Sequence, residues 1–251
     1  MKILVPIKRV PDSDTRIRVK PDGSGIVTDG VKFSLNPFDA IALEEALRIR
    51  ERLGAAEVLA VTLGGEDSIE QLRTGLAMGA DRALLVRTPG PLDSLAVARI
   101  LAALVRKESP DLVLLGKQAI DDDSNQVGQM LGGMLGLPQA TFVSKLEFQP
   151  DGRSVRCGRE TDAGIETLGV RLPAVITADL RLNEPRYVSL PGIMKAKKRP
   201  IEELSPEALG VTAASRTRVL RLEAPAGRKA GVRLRTVEEL VARLRDGAGL
   251  T

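Results

Sequence analysis

Between Lys117 and Gln126 the sequence K-Q-A-I-D-D-D-S-N-Q gathers an ammonium, three carboxylates, a hydroxyl and three amide side chains, and Gln129 adds a fourth amide shortly after. Amides both donate and accept hydrogen bonds, which suits the edge of a base or the hydroxyls of a ribose. The stretch starts as the apolar run L-V-L-L at 112–115 and breaks at Gly116-Lys117. It resumes with Val127, Met130, Leu131, Met134 and Leu135 at helical spacing ahead of Pro138. The pattern predicts a strand, a loop and a helix. Asp122, Asp123 or Ser124 is expected to cap that helix, because a short oxygen-bearing side chain accepts from the free amides of the first turn. A loop at the carboxyl end of a strand, feeding a helix N-terminus, is where open α/β sheets bind phosphorylated ligands. The three acids also fit a solvated turn that complements the helix dipole. The density of amides is what favours a ligand.

The elements that must position this loop follow in order. K-I-L-V-P-I at 2–7 reads as a buried first strand with Lys8-Arg9 bringing positive charge to its carboxyl end. R-I-R-V-K, P-D-G-S-G and I-V-T read as a β-hairpin. Asn36-Pro37 opens a long helix, with Asn36 as cap and Asp39 in the first turn. A second strand at 57–63 ends at Gly64-Gly65, where backbone can approach a ligand closely. A helix at about 67–78, a strand at 82–87, a helix from Asp93-Ser94 to before Pro110, and a strand at 111–115 complete the alternation. Continuous apolar strands alternating with helices predict a mostly parallel α/β sheet covered on both faces. Beyond Pro138, four strand-like runs ending in P-A-V-I-T-A, with turns at P-D-G and D-A-G, read as an antiparallel meander at the sheet edge. Past Asp179 the core patterning weakens. Leu190, Ile193 and Met194 beside Lys195 and Lys198 read as an apolar, basic docking loop or short helix. Residues 205–235 lack helical periodicity, and a last helix is predicted over about 236–245. The division expected is a domain over 1–182 and a docking loop and arm over 183–251.

Composition excludes more than it selects. The chain of 251 residues contains no histidine, one cysteine, no tryptophan and one tyrosine. Histidine-based triads, histidine-ligated zinc and protein-held iron–sulfur clusters are therefore ruled out, and aromatic platforms for nucleic acid are poorly supplied. Neither catalytic nor metal-binding residues are expected, nor is nucleic acid. Cys157, with no histidine to activate it, reads as a packed thiol. Residues 1–180 hold 22 basic against 25 acidic residues, while 181–251 hold 15 against 8. A basic tail with few aromatics favours an acidic protein surface as its partner. The absence of a signal-peptide pattern or an apolar run of spanning length predicts a cytoplasmic protein without stable membrane insertion.

The run G-K-Q-A-I-D-D-D-S-N-Q at 116–126 closely resembles the nucleotide-binding segment of electron transfer flavoprotein beta subunits. The likeness continues through V-K-P-D-G-S-G-I-V-T-D-G at 19–30, N-P-F at 36–38, A-M-G-A-D-R at 77–82, E-T-D-A-G-I-E-T-L-G-V-R-L-P-A-V-I-T-A at 160–178 and R-L-N-E-P-R-Y-V-S-L-P-G-I-M-K-A-K-K at 181–198. The resemblance implies a Rossmann-like fold with a C-terminal arm around an alpha subunit, a structural AMP in this chain, and FAD held mostly by the alpha subunit. By matching positions, the AMP site would comprise Pro6, Asn36, Leu63, Gly64, Gly116, Lys117, Gln118, Asp121, Asp122, Asp123, Ser124, Asn125, Gln126 and Val127. Leu190 would anchor the loop that docks onto acyl-CoA and related dehydrogenases, with Pro191, Ile193, Met194, Lys195 and Lys198 around it. Electrons would pass on to the electron transfer flavoprotein quinone oxidoreductase. Pro6 stands where relatives often carry a smaller residue, Val127 replaces a hydroxyl residue, and Ser13 takes a place that some relatives give to an aromatic near the flavin. The alternative within the resemblance is a bifurcating-type subunit with a second FAD at the AMP position that oxidises NADH. A more distant reading is a stand-alone adenine-nucleotide hydrolase or a stress-type nucleotide-binding protein on a similar fold, which the absent P-loop and histidine disfavour.

Overall fold

A computed structural model describes residues 1–227 and 230–248; residues 228–229 and 249–251 of the expected arm lie outside it. Two compact units are present, Met1–Arg16 with Thr28–Val219, and Ile17–Val27 with the chain from Leu220 onward.

The first unit is built on a nine-stranded sheet. Its strands are β1 (Lys2–Pro6), β4 (Glu57–Gly64), β5 (Arg82–Arg87), β6 (Leu112–Gly116), β7 (Gln139–Phe148), β8 (Ser154–Thr161), β9 (Gly164–Arg171), β10 (Ala174–Ala178) and β11 (Glu202–Leu204). Their order is β11-β5-β4-β1-β6-β10-β7-β8-β9. Every pairing from β11 to β7 is parallel, and β7-β8 and β8-β9 are antiparallel. The α/β class and the antiparallel edge strands match the expectation. The central strands are buried along their length because helices cover both faces. On one face α1 (Pro37–Leu53) and α2 (Ile69–Met78) bury Leu43, Leu47 and Leu72 against Ile3 and Val5. On the other, α3 (Ser94–Glu108) and α4 (Val127–Leu135) bury Ile100, Leu104 and Leu131 against Leu4, Val61 and Val113. A small antiparallel pair, β2 (Arg9–Pro11) with β3 (Phe33–Leu35), closes the excursion between β1 and α1.

Several local expectations need correction. Ala174–Ala178 does not end the meander. It lies inside the sheet, parallel to both β6 and β7. Its five residues are all buried, the mark of a central strand that alternation cannot reveal. The hairpin expected over 16–28 reduces to one bridge, Val19 with Ile26, and two flanking backbone hydrogen bonds. Its first arm, R-I-R-V-K, alternates charge and has no third strand to lie on. The short strand β11 escaped the sequence reading because its charges, Glu202 and Glu203, mask it. They pair with Arg82 and Arg87 of β5.

In the second unit the Leu222 amide donates to Gly23 O at 2.9 Å. Gly23 sits at φ +73, and an added Cβ would stand 2.7 Å from Arg221 Cγ. At the start of helix α6 (Val237–Ala248) the Glu239 amide donates to Thr236 Oγ1, and Glu239 Oε2 accepts from the Arg235 amide. Val237, Leu240, Val241 and Leu244 remain exposed on it.

Candidate functional site

The strand order reverses between β1 and β6, the topological switch point at which such sheets open a crevice at their carboxyl ends. β1 ends at Pro6 and β6 at Gly116, so the 117–126 loop emerges there. β4, beside β1, delivers Leu63 and Gly64 to the same end. The chain order of the site is thus set by parallel pairing rather than by the loop alone.

The first turn of α1 holds this end together. Asn36 is fully buried and makes no side-chain cap. Its Nδ2 donates to Gln118 O at 2.9 Å and its Oδ1 accepts from the Ile120 amide at 3.3 Å, so the expected cap is a brace for the loop. Asp39, placed by the sequence in the first turn of this helix, does the same work. Its carboxylate accepts from the Lys8 amide at 2.8 Å and the Gly116 amide at 3.0 Å. Burial pushes its carboxyl up to about 7, against the opposing pull of those donors. Gly116 allows this approach: a Cβ there would strike Asp39 Oδ1 and lie 2.6 Å from Phe38 Cβ.

The charged groups of the loop are paired. Lys8 Nζ lies 2.8 Å from Asp121 Oδ1 and 2.9 Å from Asp122 Oδ2. Burial would lower the Lys8 ammonium, but the two carboxylates more than offset it and hold it above its ordinary value. Burial likewise raises Asp122, and Lys8 with the Ser124 amide brings it below the usual carboxylate range. Lys117 turns the other way, 2.9 Å from Asp179 Oδ2 and over the ring of Phe142. Gln118 Nε2 donates to Asp123 Oδ1, which sits at φ 51.

The three candidate caps do not cap α4. Its N-cap is Gln126, whose side chain makes no cap hydrogen bond, so the first-turn amides meet no side chain of the loop. Asn125, at φ 47, instead accepts from Gln129 Nε2 at 2.9 Å, and Gln129 Oε1 is buried without a partner. Gly128 is needed because a Cβ would strike Thr177 Cγ2 of β10. The structure therefore gathers Pro6, Asn36, Leu63, Gly64 and the whole of 116–127 at one end of the sheet. Asp39 and Asp179 were missed as contributors. Only Asp39 carried a signal, through its place three residues after Asn36.

The second group of predicted residues lies elsewhere in this unit. Leu190, Pro191, Ile193, Met194, Lys195 and Lys198 form α5 (Leu190–Lys198), capped by Ser189 Oγ, which accepts from the Gly192 amide at 3.2 Å. Leu190 is 74% exposed and Met194 56%, while Ala196 is buried. Gly192 lets α5 lie on α2, since a Cβ would stand 3.0 Å from Ala77 O. Arg73 Nη1 donates to Ala196 O at 2.6 Å. The lead-in is tied to α1: Asn183 Nδ2 donates to Ile41 O at 3.1 Å, and Arg186 Nε lies 2.8 Å from Glu44 Oε2. No helix among the described residues is long and apolar enough to cross a membrane.

A mostly parallel sheet wrapped by helices, with a braced polar loop and an open helix N-terminus at its switch point, defines a Rossmann-like α/β protein. The Electron transfer flavoprotein domain model matches residues 24–209. The chain is 54% identical over 250 residues to electron transfer flavoprotein subunit beta of Bradyrhizobium diazoefficiens, covering all of both chains. It is 54% identical over 250 residues to the human subunit beta, covering 98% of this chain and 97% of that one. It is 52% identical over 248 residues to the mitochondrial subunit beta of Arabidopsis thaliana, covering 99% of each. The chain belongs to the electron transfer flavoprotein family, among its beta subunits.

Proposed function

We propose that this chain is the nucleotide-holding half of a heterodimeric electron carrier, with AMP at the switch point, an alpha subunit that holds most of the FAD, and dehydrogenases docking at α5. The observation that carries the reading is the braced loop itself. Asn36 and Asp39 fix 116–120, Lys8 pairs with both Asp121 and Asp122, and the first-turn amides of α4 are left without a side-chain cap. Such amides favour a phosphate, and the unpartnered buried Gln129 Oε1 beside them favours a hydrogen-bond donor such as a hydroxyl or an exocyclic amine. These features fit a mononucleotide. The residues that would hold it are those of 116–127 with Pro6, Asn36, Leu63 and Gly64, and its part is structural. FAD, when bound with the alpha subunit, supplies the one-electron chemistry, and no side chain of this subunit is assigned a part in bond making. The arm from residue 183 would complete the heterodimer. Leu190, Ile193 and Met194, exposed and ringed by Lys195 and Lys198, form a small apolar contact suited to a briefly bound dehydrogenase. The quinone oxidoreductase would receive the electrons.

The test is to purify the chain with and without its alpha partner, denature it, and identify the released molecules by chromatography and absorbance. AMP from the chain alone, with flavin appearing only alongside alpha, is expected. Flavin retained by the chain alone would favour the bifurcating arrangement, and no nucleotide in either preparation would overturn the assignment of the loop.

A further inference from the structure

Beside the 122–126 loop lies a cleft of about 330 Å³ whose far wall comes from residues much later in the chain. Asp122, Ser124 and Gln126 line one side, Asp93 and Ser94 at the start of α3 line another, and Arg216 with Thr217 closes it. The closing segment is hung on Asp93. One oxygen of that carboxylate caps α3 through the Ala96 amide at 2.8 Å. The other accepts from the Arg216 amide at 2.6 Å, the Thr217 amide at 3.1 Å and Thr217 Oγ1. In return the Asp93 amide donates to Ser215 Oγ at 2.9 Å. The backbone amides, that of Ala96 foremost, hold Asp93 below the usual carboxylate range.

The charges around this cleft are unequal in their commitments. Asp93 is saturated by four donors, and Asp122 is matched by Lys8 and the Ser124 amide. The guanidinium of Arg216 has no ionic or hydrogen-bond partner among the described residues, although its backbone is fixed. Arg216 is thus the cation of this cleft whose charge is not taken up by a carboxylate, and the group free to meet an anion. A guanidinium also matches a phosphate through two parallel N–H donors.

We propose that Arg216 is a phosphate-recognising residue of the nucleotide site, and that the 215–217 segment, latched to Asp93, is the third wall of that site. The inference rests on the nucleotide reading given above and adds to it the group that separates a nucleotide from a nucleoside. It also makes Asp93 a positioning residue, acting through the backbone of 216–217.

The experiment is titration calorimetry of nucleotide-depleted protein with AMP and, separately, with adenosine, for the wild type, Arg216→Ala and Arg216→Lys. Arg216→Ala is expected to weaken AMP by about ten- to a hundred-fold, the loss of a hydrogen-bonded charge. Adenosine affinity should stay within about two-fold, and Arg216→Lys should recover part of the AMP affinity because the charge is kept. Equal AMP affinity in wild type and Arg216→Ala would overturn the assignment of Arg216 while leaving the nucleotide site standing. Parallel loss of AMP and adenosine with an unchanged circular dichroism spectrum would also overturn it, since the wall would then be structural. A wild type that binds neither ligand would remove the nucleotide reading itself.

Discussion

Asp39 Oδ1 accepts the amide of Gly116 at 3.0 Å, although 77 residues separate them. This bond fixes the last residue of β6 to the first turn of α1. Gly116→Ala would drive a methyl into Asp39 Oδ1 and the Phe38 backbone, neither of which can swing aside. A loss of about 1–3 kcal/mol in urea unfolding is expected, as for other overpacked sites. Co-purified nucleotide should fall with it. An unfolding midpoint within error of wild type would show that the junction yields freely.

The same carboxyl makes stability depend on pH in an unusual direction. Its folded value of about 7 lies above the ordinary 3.8, so between those values the native state binds a proton that the unfolded chain has released. Stability from this group is therefore fullest below about pH 4, falls as pH rises towards 7, and is flat above. Asp39→Asn removes that slope. Chemical denaturation at pH 5, 6, 7 and 8 should show the two proteins diverging between 5 and 7, and parallel curves would rule out a proton on Asp39.

Glu44 is buried on α1 and paired with both Arg186 and Arg48, at 2.8 Å and 2.7 Å. Burial raises its carboxyl, and the two guanidinium groups more than reverse the effect, leaving it below the usual range. Stability from Glu44 is thus present above its unfolded value near 4.5 and lost as pH falls through the depressed folded one. Arg186→Ala should cost roughly 2 kcal/mol, because it strips a partner from a buried charge. Hydrogen exchange should then quicken across 183–198. Exchange confined to wild-type rates there would mean that the lead-in to α5 is held by other contacts.

Leu190 is largely solvent-exposed, so Leu190→Ala should leave thermal unfolding unchanged within about 0.5 kcal/mol. For the docking role proposed above, the rate of flavin reduction by an acyl-CoA dehydrogenase should drop at least ten-fold at low dehydrogenase concentration. An unchanged rate would place dehydrogenase contact on another surface.

Much of the fold was legible because helices and buried strands announce themselves by period and length. The strand at 82–87 was predicted with its observed bounds. The position of Ala174–Ala178 was not legible, since strand order is fixed by crossovers and a buried five-residue run looks alike in any register. Asn36 and Asp39 were legible as residues of a helix start but not as braces, because nothing local tells a cap from a side chain reaching a loop 80 residues away. Asp122, Asp123 and Ser124 misled in the other direction: their short oxygen-bearing side chains invited capping, whereas Lys8, distant in sequence, claimed Asp122 together with Asp121. The wall at 215–217 left no periodic trace at all.

Helix α5 is fastened at both ends, through Asn183 and Arg186 before it and through Arg73 and Arg199 after it, where Arg199 reaches Ala80 O and Asp81 O. A partner that meets Leu190 therefore encounters a spur already in its final shape, and little chain freedom is surrendered on contact. With only a few apolar side chains and some lysines engaged, the grip in the proposed docking would also be slight. For the docking role proposed above, that combination would favour encounters that are quick to form and quick to end.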